Sequence, residues 1–221
     1  LLYGAAQPFS GAIADRFGTV RVIIAGTLLY AAGIFMMAHA STPETLFLSS
    51  GVLIGFGLSG CSFNLVLSSF GKLLPESWRS LAFGAGTASG SFGQFLFSPL
   101  AILLIDQIGW QNTLVAFGSV LLLILPLSLA LATPRNDQAA AGVPVGDQQS
   151  AKEALAEAFG HRSYILLVLG FFTCGFQLAF VTVHLPSYLI DRGLSADIGA
   201  WTIALIGLFN IVGSLTSGYL S

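Results

Sequence analysis

Six apolar stretches, each long enough to make a helix of about five turns or more, follow one another along this chain with only a few polar residues between most of them. They run over about 22–40, 46–70, 81–105, 112–132, 163–190 and 198–217, and Leu1–Ser10 reads as the end of another. About 20 residues of α-helix cross a hydrocarbon core of about 30 Å, so each stretch has spanning length. Composition supports this reading. The chain is 55% hydrophobic and 8% charged, against about 25% charged in an ordinary soluble domain, and its mean hydropathy is +0.85. Too few polar groups are available to cover a surface in water. In lipid, each backbone N–H and C=O must find a partner inside the protein, and a helix achieves this within a single segment. The expected fold class is therefore all-α, a polytopic membrane helix bundle.

Charge placement orients the bundle. When the turns are numbered alternately, Arg16, Arg21, Lys72, Arg79, Arg135, Lys152 and Arg162 share one side, seven of the eight basic residues, and Arg192 is alone on the other. Basic residues accumulate on the cytoplasmic side of membrane proteins, so the first side is expected to be cytoplasmic, and with it the polar stretch 133–162. Within that stretch, Ala151–His161 reads as a short amphipathic helix carrying Leu155 and Phe159 on one side. The net charge of −2 and the lack of any basic run give no footprint for nucleic acid. No His-Glu-x-x-His, phosphate loop or Gly-x-Ser-x-Gly elbow occurs. No catalytic residue, metal ligand or cofactor is assigned, and the chain is not expected to be an enzyme. Cys61 and Cys174 read as small apolar fillers on different helices.

Polar residues inside the spans are unevenly placed. Thr87, Ser91, Gln94 and Ser98 recur at helical spacing, as do Thr173, Gln177, Phe180 and His184, and Gly57, Cys61, Asn64 and Ser68; Asn210 stands between Gly207 and Gly213. Stretches 22–40 and 112–132 have no such stripe and read as lipid-facing. Striped polar groups serve either as hydrogen bonds between helices or as the lining of a wet cavity. Gln94, Thr173, Gln177, His184, Asn210 and Asn64 are the candidates for a substrate path. His184 is the one among them that could pass a proton near neutral pH.

Residues 11–21, Gly-Ala-Ile-Ala-Asp-Arg-Phe-Gly-Thr-Val-Arg, form a short charged junction between two apolar stretches. This junction resembles the loop between the second and third transmembrane helices of the major facilitator superfamily, G-x-x-x-D-R-x-G-x-[RK]-[RK]. Gly11, Asp15, Arg16 and Gly18 match in register and Arg21 fills the last basic position, while Thr19 and Val20 stand where many members carry a further basic residue. Aligning Gly11–Ala14 with Gly218–Ser221 closes a six-helix period. The resemblance implies a partial major facilitator fold running from the end of helix 2 to the end of helix 8, and so a fragment of a longer chain. Residues 1–132 would be a first bundle lacking its first helix, 133–162 a linker, and 163–221 the start of a second bundle.

In function, the resemblance implies a secondary transporter that moves a small solute by alternating access, with a proton as a possible coupling ion and the bacterial inner membrane as the location. It also implies a gating role for Gly11, Asp15, Arg16, Gly18 and Arg21. Ser98-Pro99, the run Cys174–Phe180 and His184-Leu-Pro-Ser-Tyr188 are similar to bacterial monocarboxylate and oxalate/formate-type carriers, which would make the solute a small organic acid. Three family features are absent. Segment 198–217 has no basic residue where anion carriers of that kind use one in helix 8, which leaves a neutral solute, or a counter-charge on another helix, as alternatives. Gly51 stands where an arginine would precede Gly55, and no Gly-Pro antiporter pair occurs around 84–99. A non-transporting receptor or scaffold of the same fold, or a channel, remain the alternatives.

Overall fold

The computed structural model describes residues 2–131 and 151–220, and every regular element among them is helical. Helix α1 (Leu2–Phe17) is followed by α2 (Thr19–Ala38). The third span is assembled from α3 (Pro43–Leu46), a π-helical segment Phe47–Leu53, α4 (Ile54–Gly60) and α5 (Phe63–Leu73). Then come α6 (Glu76–Leu121) and α7 (Ile124–Ser128), and later α8 (Ala151–Gly160), α9 (Arg162–Asp191) and α10 (Ala196–Leu220). By its contacts the chain divides into two compact units, Leu1–Thr133 with Ala204–Ser221, and Pro134–Ile203.

Five helical stretches are long and apolar enough to cross a membrane, at 19–38, 43–71, 76–131, 162–191 and 196–220. The third of these is two spans. Gly109 takes a φ of +80°, which ends the helical path inside α6, and the chain folds back there. Residues 97 and 117 would lie about 30 Å apart in a straight helix, yet the Phe97 and Phe117 rings pack edge to face at 5.5 Å. The turn expected at 106–111 is thus a single glycine, and the six apolar stretches each have their helical counterpart. Of the polar stretch 133–162, the part up to residue 150 lies outside the described residues, and α8 stands where the amphipathic helix was expected.

The charged junction is tighter than the sequence suggested. Asp15 and Arg16 belong to the last turn of α1 and Arg21 to the first turn of α2. Only Gly18 leaves the helix. Its φ of +95° is one that L side chains rarely adopt, and its N–H closes α1 by donating to the Ala14 carbonyl at 2.8 Å.

Two expectations about the spans need correction. Stretch 22–40 is not simply lipid-facing. Along α2, Ile23, Gly26, Thr27, Ala31, Gly33, Ile34 and Ala38 are buried, while Leu28 and Leu29 remain exposed on the other side. The buried face is built of small residues, which let backbones approach closely where no hydrophobic effect draws helices together. A Cβ placed on Gly26 would meet the Gly60 backbone at 2.7 Å, so α2 and α4 touch backbone to backbone. Stretch 46–70 is not one regular helix either. Beyond its π-helical segment it breaks at Cys61–Ser62, where Ser62 turns to an extended ψ of 144°. The run Gly57-Leu-Ser-Gly-Cys-Ser62 has little helix propensity. The gap is bridged from α2, where the Thr27 hydroxyl donates to the Ile23 carbonyl at 2.8 Å and lies 3.2 Å from the Cys61 sulfur.

Candidate functional site

Two clefts with polar residues on their walls open in the first unit. One, of about 590 Å³, lies between α1 and the start of α5, with Gln7, Gly11 and Asp15 on one side and Ser62, Asn64 and Ser68 on the other. Helix α1 presents Gly4, Pro8, Gly11 and Asp15 at spacings of four, three and four, which is one helical face. The Asn64 amide donates to the Gln7 side-chain oxygen at 3.0 Å. One level away, Ser10 and Ser59 are joined at 2.8 Å. Ser59 spends its proton on the Phe56 carbonyl at 2.7 Å, so Ser10 is the donor to Ser59. The stripe Gly57, Cys61, Asn64, Ser68 is therefore split by the break. Gly57 and Cys61 face α2, while Asn64 and Ser68 face the cleft.

The second cleft, of about 500 Å³, lies between the first half of α6 and the last turns of α10, lined by Ser80, Thr87, Asn210, Ser214 and Ser217 among others. It is flanked by two backbone contacts. A Cβ on Gly84 would meet the Ser214 carbonyl at 2.8 Å and the Gly218 Cα at 3.0 Å, and one on Gly207 would meet the Ser91 carbonyl at 2.7 Å. Ser80 donates across the same seam to the Gly218 carbonyl at 3.2 Å.

The candidate residues thus fall into three places. Asn64 shares a cleft with Gly11 and Asp15 of the charged motif. Asn210 shares one with Thr87, and Gln94 sits half-buried beside Gly207. Thr173, Gln177 and His184 lie along α9, where no residue is buried. There Thr173 donates to its own helix, at the Leu169 carbonyl, and the His184 ring packs 5.1 Å from Phe180, the end of a ladder through Phe176 and Phe172. Arg16 lies over the Phe17 ring at 5.5 Å. No cluster of His, Cys, Asp or Glu fit to hold a metal occurs among the described residues. Sequence reasoning missed Gln7 and Ser62. Gln7 lies in the short first stretch, where the face Gly4–Asp15 was the available signal. Ser62 was hidden in a span read as unbroken.

The family description for the Major Facilitator Superfamily matches residues 1–221, and the chain belongs to that superfamily as a multi-pass membrane protein. Among its relatives, monocarboxylate transporter 11 of Homo sapiens is 28% identical over 221 residues, covering 98% of this chain and 45% of that protein. Monocarboxylate transporter 3 of Rattus norvegicus is 29% identical, covering 100% and 45%. An uncharacterized MFS-type transporter, YcxA of Bacillus subtilis (strain 168), is 28% identical, covering 99% and 52%. The chain spans about half the length of the curated relatives it matches.

Proposed function

We propose that this chain is part of a secondary transporter that moves a small organic acid across the cell membrane by alternating access. One observation carries the reading: clefts whose hydrogen-bonding groups are uncharged apart from Asp15 lie within the spans of a superfamily member whose relatives include monocarboxylate transporters. Polar groups at membrane depth are costly unless they hydrogen-bond within the protein, line a water-filled path or meet a ligand. The supply of energy would be an ion or solute gradient, with a proton as the coupling ion, and the protein would act as neither an enzyme nor a nucleic-acid binder.

The same reading divides the chain into a first bundle at 1–132, a linker at 133–162 on the cytoplasmic side, and the start of a second bundle at 163–221. The bacterial inner membrane is the proposed location. Gly11, Asp15, Arg16, Gly18 and Arg21 form a gate at the cytoplasmic ends of α1 and α2. Helix-end dipoles and charges of this kind stabilise one closed arrangement over another. Gln94, Asn64, Asn210, Thr173, Gln177 and His184 line the path, with His184 the candidate for proton transfer.

The test is uptake of radiolabelled lactate by the full-length protein in liposomes, with and without an imposed inward proton gradient. Accumulation that rises with the gradient and collapses with a protonophore is the expected result. Flux that follows the lactate gradient alone, at rates too high for a carrier, would indicate a channel. No uptake at all would indicate a receptor or scaffold.

A further inference from the structure

The break between α4 and α5 does more than bend a span. Ser62 is 5% exposed, it caps α5 in position but not by any side-chain hydrogen bond, and its hydroxyl has no partner among the described residues. Among the described residues no buried side-chain oxygen is left unsatisfied, so what remains open of this hydroxyl opens onto the cleft that Ser62 lines. Beside it, the first-turn amides of α5 at Phe63 and Asn64 have no acceptor within their own helix, and the positive end of the helix dipole lies there. An 11-residue helix is long enough to carry that dipole.

Gln7 adds to this. Its side-chain oxygen is occupied by Asn64, so both its N–H groups and one of Asn64's remain to donate. The site is thus rich in donors, and no lysine or arginine is among the lining residues. The one carboxylate on the lining, Asp15, is eight residues beyond Gln7, about 12 Å along the helix. Uncharged donors at a helix N-terminus suit a single negative charge held weakly enough to be released.

Resting on the carrier reading above, we infer that this break is a carboxylate-binding subsite: the Ser62 hydroxyl and the α5 amides hold the carboxylate of the transported acid, and the Gln7–Asn64 pair flanks it. The subsite lies between α1 and α5.

The test uses the full-length protein in liposomes, with lactate as the probe, lactamide as its uncharged analogue and sulfate as a doubly charged one. Ser62→Ala is expected to raise the half-saturating lactate concentration about tenfold while leaving the maximal rate within about twofold. Ser62→Thr, which keeps the hydroxyl, is expected to stay within about twofold of the parent. A second measurement does not depend on transport. In a Cys61→Ser, Cys174→Ser background, Ser62→Cys is labelled with a small anionic thiol reagent. Lactate should slow labelling at least fivefold, and lactamide and sulfate should not.

Equal protection by lactamide, absence of protection, or a thiol that does not label at all would each overturn the subsite. Lactate uptake with unchanged half-saturation in Ser62→Ala would overturn it while leaving the carrier reading intact. Lactate protection without any uptake would support the subsite and remove the carrier reading instead.

Discussion

Gly18 shows how much one residue determines here. Two long helices reverse through a single backbone unit at φ +95° and ψ 139°, a conformation close to glycine-only, where an L side chain costs on the order of 1–3 kcal/mol. A Cβ there would meet nothing within 4 Å, so the cost is purely conformational. Gly18→Ala is expected to destabilise the protein by about that amount, read as a lowered thermal midpoint in detergent, with a larger loss for a β-branched residue. A drop no greater than that of an Ala substitution at the equally open, helical Gly11 would mean that the left-handed geometry is not what matters. Gln177 belongs to the same scale. It is exposed on α9 without a side-chain partner among the described residues, so packing gives it no role there. Gln177→Leu is expected to cut uptake at least fivefold at equal membrane abundance, whereas Ser119→Leu, on an exposed face of α6, should leave it within about twofold. Equal effects would remove Gln177 from the path.

At the scale of elements, the seams between helices are made by what the side chains lack. Helices α6 and α10 meet through Gly84, Gly218 and Gly207, and the polar cleft at Asn210 exists because the backbones close on either side of it. Gly84→Leu would place a side chain against the Ser214 carbonyl and the Gly218 backbone. Overpacking of this kind costs about 1–3 kcal/mol. The seam is expected to open, read as a fall in the thermal midpoint in detergent larger than that of Gly90→Leu on the same helix, where a Cβ meets nothing within 4 Å. Equal falls would show that the seam tolerates the added bulk. The third span is the other case. Its break is held by the neighbouring α2, through Thr27 and the Gly26–Gly60 approach. The broken form is therefore a property of the pair of helices, beyond the low propensity of the segment itself.

For the whole molecule, the proposed topology follows from the spans and the distribution of basic residues. Cysteines placed at Ser77 and Ala156 are expected to react with an impermeant thiol reagent only from the cytoplasmic side, and cysteines at Thr42 and Ala196 only from outside, after Cys61 and Cys174 are replaced. Thr42 caps α3 in a turn after α2, and Ala196 begins α10 after the positive-φ turn at Gly193, so both lie where the chain leaves the bundle. Labelling of Ala156 from outside would overturn the orientation, and with it the placement of the linker.

The sequence by itself determined the class, the number and limits of the spans and the family. Each of these depends on length, hydropathy or local spacing, and lipid leaves a long apolar segment almost no choice but a helix. The charged motif was legible for the same reason: Gly11, Asp15, Arg16 and Gly18 are close in the chain. Only the tertiary structure decided which polar residues share a cleft. Gln7 and Asn64 are 57 residues apart in sequence and meet through one hydrogen bond, and Thr87 comes to Asn210 only because α6 and α10 cross on glycines. A periodic pattern identifies a face of a helix but not the helix opposite it. The break at Ser62 was out of reach for a related reason: weak propensity permits a break, but the contacts of α2 decide where it falls.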